Sequence, residues 1–331
     1  METPFFLIGT ERSGSNLLRM ILTSHSRLAV PHPPHLVRYF RPLEPRYGDL
    51  RDDHAFRRLV GDVRALVDTH IYPWDVSLDW ERIAREAAPR DSFGIQFALY
   101  AQYAAAKGKV RWGCKSTFHV AEVPALRERL PGARFLWLFR DPRDVAASAR
   151  KSVFSATHPV SSAELWRDQQ AQAFAAEQTG SDVLRVRYED LIREPEAEVR
   201  RICAFLGEDF EPAMLRYHET DEARRSGELA ESWKRTAEPI ARDNRGKYRK
   251  VLTDEEVRWI EGICAEGMAE LAYAPEHPPV PPRFDDAERA RFRRQEKAEE
   301  LRIELRSLVK DRNVLRRWRR AWLLRRLGWT S

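Results

Sequence analysis

Cysteine is scarce. The 331-residue chain holds three, Cys114, Cys203 and Cys264, odd in number, far apart and without C-x-x-C spacing. That argues against a disulfide framework or a thiolate zinc site and fits a reducing, cytoplasmic setting. Long apolar runs are also missing: none approaches the roughly 20 residues needed to span a bilayer. The amino terminus carries Glu2 in place of a basic leader, and its first apolar run is only about four residues long. Neither secretion nor membrane spanning is expected.

What is present is a chain that can build a real core, with 43% hydrophobic residues, and a net charge of +6 that is unevenly placed. Residues 283–331 hold 16 Lys/Arg against 8 Asp/Glu, so the first 282 residues are slightly acidic. The basic character belongs to the tail, and nucleic-acid binding by the main body is not expected.

The most informative stretch lies near the start. Phe5-Phe6-Leu7-Ile8 reads as a buried strand, Gly9 to Gly14 as a turn, and Leu17, Leu18, Ile21 and Leu22 take up helical spacing. A strand, a glycine turn and a helix N-terminus make an anion cradle, because backbone N–H groups converge and the helix adds partial positive charge. Gly9 to Gly14 has the spacing of the nucleotide-binding G-x-x-x-x-G-K-[ST] loop, but Ser15 stands at the Lys position and Asn16 at the Ser/Thr position. The loop predicts phosphate binding without the γ-phosphate and Mg²⁺ ligands of an ordinary NTPase.

Further along, Pro31-His32-Pro33-Pro34-His35 forms a proline-fixed loop, whose histidines are either solvated or gathered at the carboxyl end of the sheet. Residues 36–110 read mainly as helix, an aromatic-rich insertion that serves as a substrate-facing lid or as core. A short strand at 110–114 runs into Lys115-Ser116-Thr117, and a helix is expected over 120–130. Arg134 to Phe139 is a strand covered on both faces, ending at Arg140. Asp141 then caps a helix opened by Pro142, placing Ser148 two turns along. Arg140 can fork onto a phosphate or cap the sheet through Asp144.

Helices are expected over 161–179, 195–206 and 253–271, a strand over 182–187, and a mostly polar segment over 208–250 that is either a mobile basic loop closing over an anion or a solvated surface. The layout is an α/β domain over 1–274, a Pro-rich linker over 275–284 and a basic amphipathic helical tail over 285–331. Leu301, Leu305, Leu308 and Leu315 suggest an apolar seam for a second chain or for the main domain. The Arg- and Trp-rich last third suits an anionic membrane surface or a homodimer.

In order, these anchors resemble the sulfotransferase superfamily that uses 3′-phosphoadenosine-5′-phosphosulfate (PAPS), particularly its bacterial and tyrosylprotein-type branches, over about residues 4–273. The motifs are Gly9 to Arg19, Phe139 to Ser148 and Arg187-Tyr188-Glu189-Asp190-Leu191, with Lys115 between the first two. The resemblance implies a P-loop-like three-layer fold with a central, mainly parallel sheet. It also implies metal-free, in-line transfer of a sulfuryl group to a hydroxyl or amine, leaving 3′-phosphoadenosine 5′-phosphate (PAP).

Carried over by position, Arg12, Ser13, Gly14, Ser15 and Asn16 would hold the 5′ side, with Arg12 at the bridging oxygen. Arg140 and Ser148 would hold the 3′-phosphate, Tyr188 would approach the adenosine, and Arg245, Gly246 and Lys247 would close over it. Lys115 would position the transferring group. The family's usual base positions are occupied by Pro33 and Thr117, so His35 is the favoured base, His32 the second, and Glu11, Glu44 and His119 the remaining choices. The acceptor is a small molecule, lipid or sugar, met in the cytoplasm or at the inner membrane surface. A small-molecule kinase with a deviant loop and a non-catalytic membrane-surface or scaffold protein are the alternatives.

Overall fold

The computed structural model describes residues 2–152 and 155–329. β1 (Phe5–Gly9) leads into α1 (Ser15–Thr23), β2 (Leu28–Ala29) and α2 (Leu36–Phe40). α2, α3 (Asp53–Asp68), α4 (Trp80–Glu86) and α5 (Ser92–Ala106) make up the helical insertion, and β3 (Arg111–Cys114) follows. Next come α6 (Val123–Arg129), β4 (Arg134–Phe139), α7 (Pro142–Ala149), α8 (Pro159–Gln178), β5 (Val183–Arg187), α9 (Tyr188–Arg193) and α10 (Pro195–Leu206). α11 (Asp221–Leu229), α12 (Asp254–Ile263) and α13 (Ala265–Glu270) complete the body, and α14 (Asp286–Lys310) and α15 (Val314–Arg326) form the tail.

The strands form one parallel sheet in the order β2-β3-β1-β4-β5. Alternation along β1 and β4 divides the core in two. Phe6, Ile8, Phe135 and Trp137 face one side, toward α5 and α8. Phe5, Leu7, Leu136 and Leu138 face the other, toward α1 and α10. Because both faces are covered, these strands read as continuous apolar runs. The result is the expected three-layer α/β fold.

α8 fixes the carboxyl ends of the central strands. Gln170 accepts from the Trp137 indole at 2.7 Å and donates to Thr10 Oγ1 at 2.8 Å, while the Trp166 indole donates to the Arg140 carbonyl at 3.0 Å. As expected, Asp141 caps α7 by accepting from the Arg143 N–H, and α10 stops at Gly207 with φ +76°.

Four expectations need revision. The helix over 120–130 is a tight turn at Thr117–Glu122 followed by α6. The one over 253–271 breaks at Cys264 into α12 and α13. The 208–250 segment is not a loop throughout, since it contains α11 and is pinned by buried Met214, Tyr217, Trp233 and Tyr248. Isolated apolar anchors in a polar sequence carry too little periodicity to reveal this.

The tail differs most. Leu301, Leu305, Leu308 and Leu315 face outward and are exposed, while Leu323 and Leu324 enter the main core. Phe292 stacks on His158 at 4.5 Å, Trp329 meets Tyr39 edge-on, and Arg46 donates to the Leu327 carbonyl at 3.1 Å. The 25 residues of α14 reach about 37 Å, enough to return the chain across the carboxyl edge of the sheet.

Gly9 has φ +133°, and a Cβ there would lie 2.1 Å from the Leu138 carbonyl oxygen. Gly9→Ala is therefore expected to destabilise the fold by about 2 kcal/mol or more, read by chemical denaturation, because it adds both strain and a backbone clash.

Candidate active site

Two cavities open at the carboxyl edge of the sheet. The larger, about 780 Å³, is walled by the first loop, α7, Tyr188, residues 235–247 and the inner side of α14. Its floor is the turn at Arg12 (φ +66°) and Gly14 (φ +93°). A Cβ on Gly14 would lie 2.3 Å from the Tyr188 ring, so only glycine lets the loop settle on that ring.

Arg12 Nε donates to Ser148 Oγ at 3.2 Å, and Arg140 donates to the Arg12 carbonyl at 3.4 Å and the Asn244 carbonyl at 2.9 Å. The Arg140 guanidinium lies 4.4 Å over the Tyr188 ring. Asp144, 3.5 Å from Arg140, accepts from the Gly246 N–H at 2.7 Å and the Tyr248 N–H at 3.0 Å. Arg140 thus pairs with Asp144, the second of the two readings the sequence left open, and also faces the cavity. Asn244 also donates to the Tyr188 hydroxyl at 2.6 Å, tying the late segment to the first loop.

The smaller cavity, about 410 Å³, shares Arg12, Ser15, Asn16 and Trp233 with the larger one. It adds Glu11, Lys115, His32 and His35, and its outer wall is α15. His35, at φ +56°, has Nδ1 2.9 Å from Ser116 Oγ, which fixes the ring. The His32 ring is stacked on Tyr72 and held against Trp233, with a buried Nδ1 that has no partner among the described residues.

Burial first, then Lys115, pushes His32 and His35 well below the usual histidine range, so both are neutral near pH 7. Burial and the nearby Arg19 lower Lys115 to about 7, against the opposing pull of Glu11. Burial raises the Glu11 carboxyl, while Arg38, Arg12 and Lys115 hold it down.

Residues 4–212 match the model of the sulfotransferase family. The chain belongs to that family. It is similar to the nodulation protein NoeE of Sinorhizobium fredii (strain NBRC 101917 / NGR234), at 28% identity over 293 residues covering 81% of this chain and 65% of that protein. It thus spans less than two thirds of the length of that relative.

In structure it resembles the sulfotransferase domain of the Synechococcus PCC 7002 olefin synthase, with a TM-score of 0.58 and 22% identity over 83% of this chain and 97% of that one. The sulfotransferase domain from the curacin biosynthetic pathway is similar too, with a TM-score of 0.56 and 18% identity over 83% and 99% of the two chains. At such identities the likeness is one of fold.

In this member of the family, Arg12, Gly14, Ser15, Asn16, Arg140, Ser148, Tyr188 and Lys247 all line the larger cavity. Ser13 is buried beneath the loop, Gly246 acts through its N–H to Asp144, and Arg245 is exposed outside both cavities. His119 is buried against Phe6 in the core and, lowered to about 3 by burial, does not reach either cavity. Glu44 accepts from the Ser92 N–H, also away from the site.

Sequence reasoning had Asp144 only as a partner of Arg140, not as the anchor of the late segment, and it missed Asn244 there and Arg38 and Arg320, which complete the smaller cavity. Arg38 follows His35 by one helical turn, a signal that was available. Arg320 lies more than two hundred residues beyond His32, His35, Arg38 and Lys115, and nothing local marks it. Among the described residues no cluster of His, Cys, Asp and Glu is suited to a metal, and no helix is long and apolar enough to cross a membrane.

Because Lys115 loses its charge as pH rises through about 7, affinity for inorganic sulfate is expected to fall between pH 6 and pH 8. The histidines, neutral throughout that window, do not contribute. Lys115→Met should flatten the dependence in calorimetric titrations.

Proposed function

We propose that the protein transfers a sulfuryl group from PAPS to a hydroxyl or amine of a small-molecule, lipid or sugar acceptor. The observation that carries this reading is the shared wall: Arg12, Ser15 and Asn16 border a polar, cation-lined cavity on one side and a histidine-lined one on the other.

The residues present fit the nucleotide. Ser13 Oγ, Asn16 Oδ1 and Arg140 Nε are shielded from solvent and have no partner among the described residues. The Gly14 approach to Tyr188 leaves a backbone cradle that a Cβ would fill. The loop residues with Arg12 would hold its 5′ side, Arg140 and Ser148 its 3′-phosphate, and Tyr188 its adenosine, with Lys247 beside them. PAPS, when bound, supplies an activated sulfuryl group whose leaving group is PAP.

The chain's own residues do the rest. Arg12 and the loop N–H groups present positive charge where a leaving oxygen becomes anionic, and removing one such donor typically costs about 10²–10³ in rate. His35 takes the acceptor proton: with Nδ1–H donated to Ser116, Nε2 keeps its lone pair, and neutrality near pH 7 keeps that pair available. Lys115, in its charged form, orients an anion from within the smaller cavity. Trp233 and the α14–α15 pair shield the site from water.

Calorimetric titration with PAP, without metal, is expected to show micromolar binding that Arg140→Ala abolishes. His35→Ala should retain that binding and lose about 10²–10⁴ of turnover on whichever phenol, sugar or lipid the wild type sulfates. Absence of PAP binding, with ATP–Mg²⁺ bound instead, would overturn the assignment.

A further inference from the structure

The buried arginines follow one rule with one exception. Arg19 pairs with Glu222, Arg111 with Glu208, Arg140 with Asp144, Arg143 with Asp141 and Glu261, and Arg317 with Asp311 and Glu304. Arg320, on α15, is 7% exposed and has no carboxylate within ion-pair distance among the described residues. Its guanidinium donates to the Pro34 carbonyl and, at 3.1 Å, to His70 Nδ1, and it lies 5.1 Å over the Tyr39 ring.

These partners orient the charge without neutralising it. His70, accepting at Nδ1, carries its proton on Nε2 and donates it to the His32 carbonyl at 3.0 Å. Burial and Arg320 itself keep that imidazole uncharged. A buried, uncompensated guanidinium is costly, and the cost is relieved when an anion arrives.

The surroundings deepen the imbalance. Arg38, on α2, lies 3.4 Å over the Phe118 ring and 5.6 Å over Tyr39, likewise without a carboxylate partner among the described residues. Arg38 and Arg320 therefore flank one tyrosine at the seam between the main body and the tail, and both line the smaller cavity. Of the two acids there, Glu304 is occupied by Arg317 at 3.1 Å and by the Trp318 indole at 2.8 Å. Glu11 alone faces Arg12, Arg38 and Lys115. Arg12 at the shared wall and Lys115 in the smaller cavity have tasks in the transfer, whereas Arg38 and Arg320 have none. Ile71, Trp233, Trp318 and Leu324 add apolar surface to the same cavity.

We infer that Arg38 and Arg320 form an anion subsite for the acceptor, and that the acceptor is a hydroxyl compound with an apolar body and a carboxylate or phosphate monoester at its far end. The last helix is then a specificity element of the active site. The inference rests on the smaller cavity being the acceptor pocket.

The test uses full-length protein with and without saturating PAP, titrated with four matched phenols that differ in one side group. They are 4-(2-hydroxyethyl)phenol, 4-hydroxyphenylacetate, the phosphate monoester of 4-(2-hydroxyethyl)phenol, and tyramine. An anionic probe is expected to bind about tenfold or more tighter than the neutral one, with tyramine weakest, as for charge-assisted pairs in a buried site. Whichever anion prevails identifies carboxylate or phosphate.

Arg320→Gln and Arg38→Gln should each reduce the preference to about threefold or less, whereas Arg319→Gln, exposed on the same helix, should leave it unchanged. Thermal melting monitors folding, and Arg38→Gln carries the test should Arg320→Gln loosen the tail. Equal affinity for neutral and anionic probes, no binding of either anion, or a preference that survives both substitutions would overturn the subsite. Failure of PAP itself to bind would instead strike at the cofactor, since charge preference is read in the PAP-free protein as well.

Discussion

The candidate active site depends on a turn that tolerates no side chain at either end. Gly9 leaves β1 against the Leu138 carbonyl, and Gly14 opens α1 against the face of Tyr188. Between them the backbone reverses with Arg12 in a left-handed conformation, which brings its guanidinium to Ser148 and its carbonyl to Arg140. The ends of β1 and β4, the start of α1 and the last turn of α7 thereby converge. α8 reinforces the arrangement through Gln170 and Trp166, which tie Thr10 and Arg140 to the same buried helix. Loop geometry here is a product of core packing, as preorganised electrostatics requires.

Charge compensation is the second organising theme. The protein buries several arginines and satisfies nearly all of them internally, so the few cations without acidic partners acquire meaning from their position. Asp144 serves two ends at once: one carboxylate faces Arg140 and accepts the N–H groups of Gly246 and Tyr248, converting a polar segment into a fixed wall. On the other side of Arg12 the histidines are kept neutral by burial among cations. The site therefore holds neutral imidazoles and cationic side chains side by side near neutral pH.

The motif-bearing part of the site was largely legible because its residues are contiguous. A strand, a glycine turn and a helix follow one another in Phe5 to Leu22, and β4, Arg140, the Asp141 cap and α7 do the same. His35 and Lys115 were legible as residues but not as neighbours of the tail. Less accessible was the 208–250 segment, where Trp233 and Tyr248 anchor turns through contacts with distant elements. The tail was read from its charge and leucine spacing, yet those leucines point outward, and Arg317, Arg320, Leu323 and Leu324 form the buried side. Charge on a helix face is a poor guide when the receiving surface is polar.

The sequence by itself determined the three-layer class, the phosphate-type loop without a Lys-Ser/Thr pair, the capped helix behind Arg140 and the sulfotransferase family. The loop and the capped helix follow from local backbone preference and from spacing within one βα unit, whereas the family, and the three-layer class it implies, follow from the order of three motifs spread over most of the chain. Only the tertiary structure decided that two cavities meet at Arg12, that His119 and Glu44 stand apart from them, and that α14 and α15 form their outer wall. Those facts depend on which surfaces pack across separations of a hundred residues or more, where burial and pairing of charge, and not local propensity, select the arrangement.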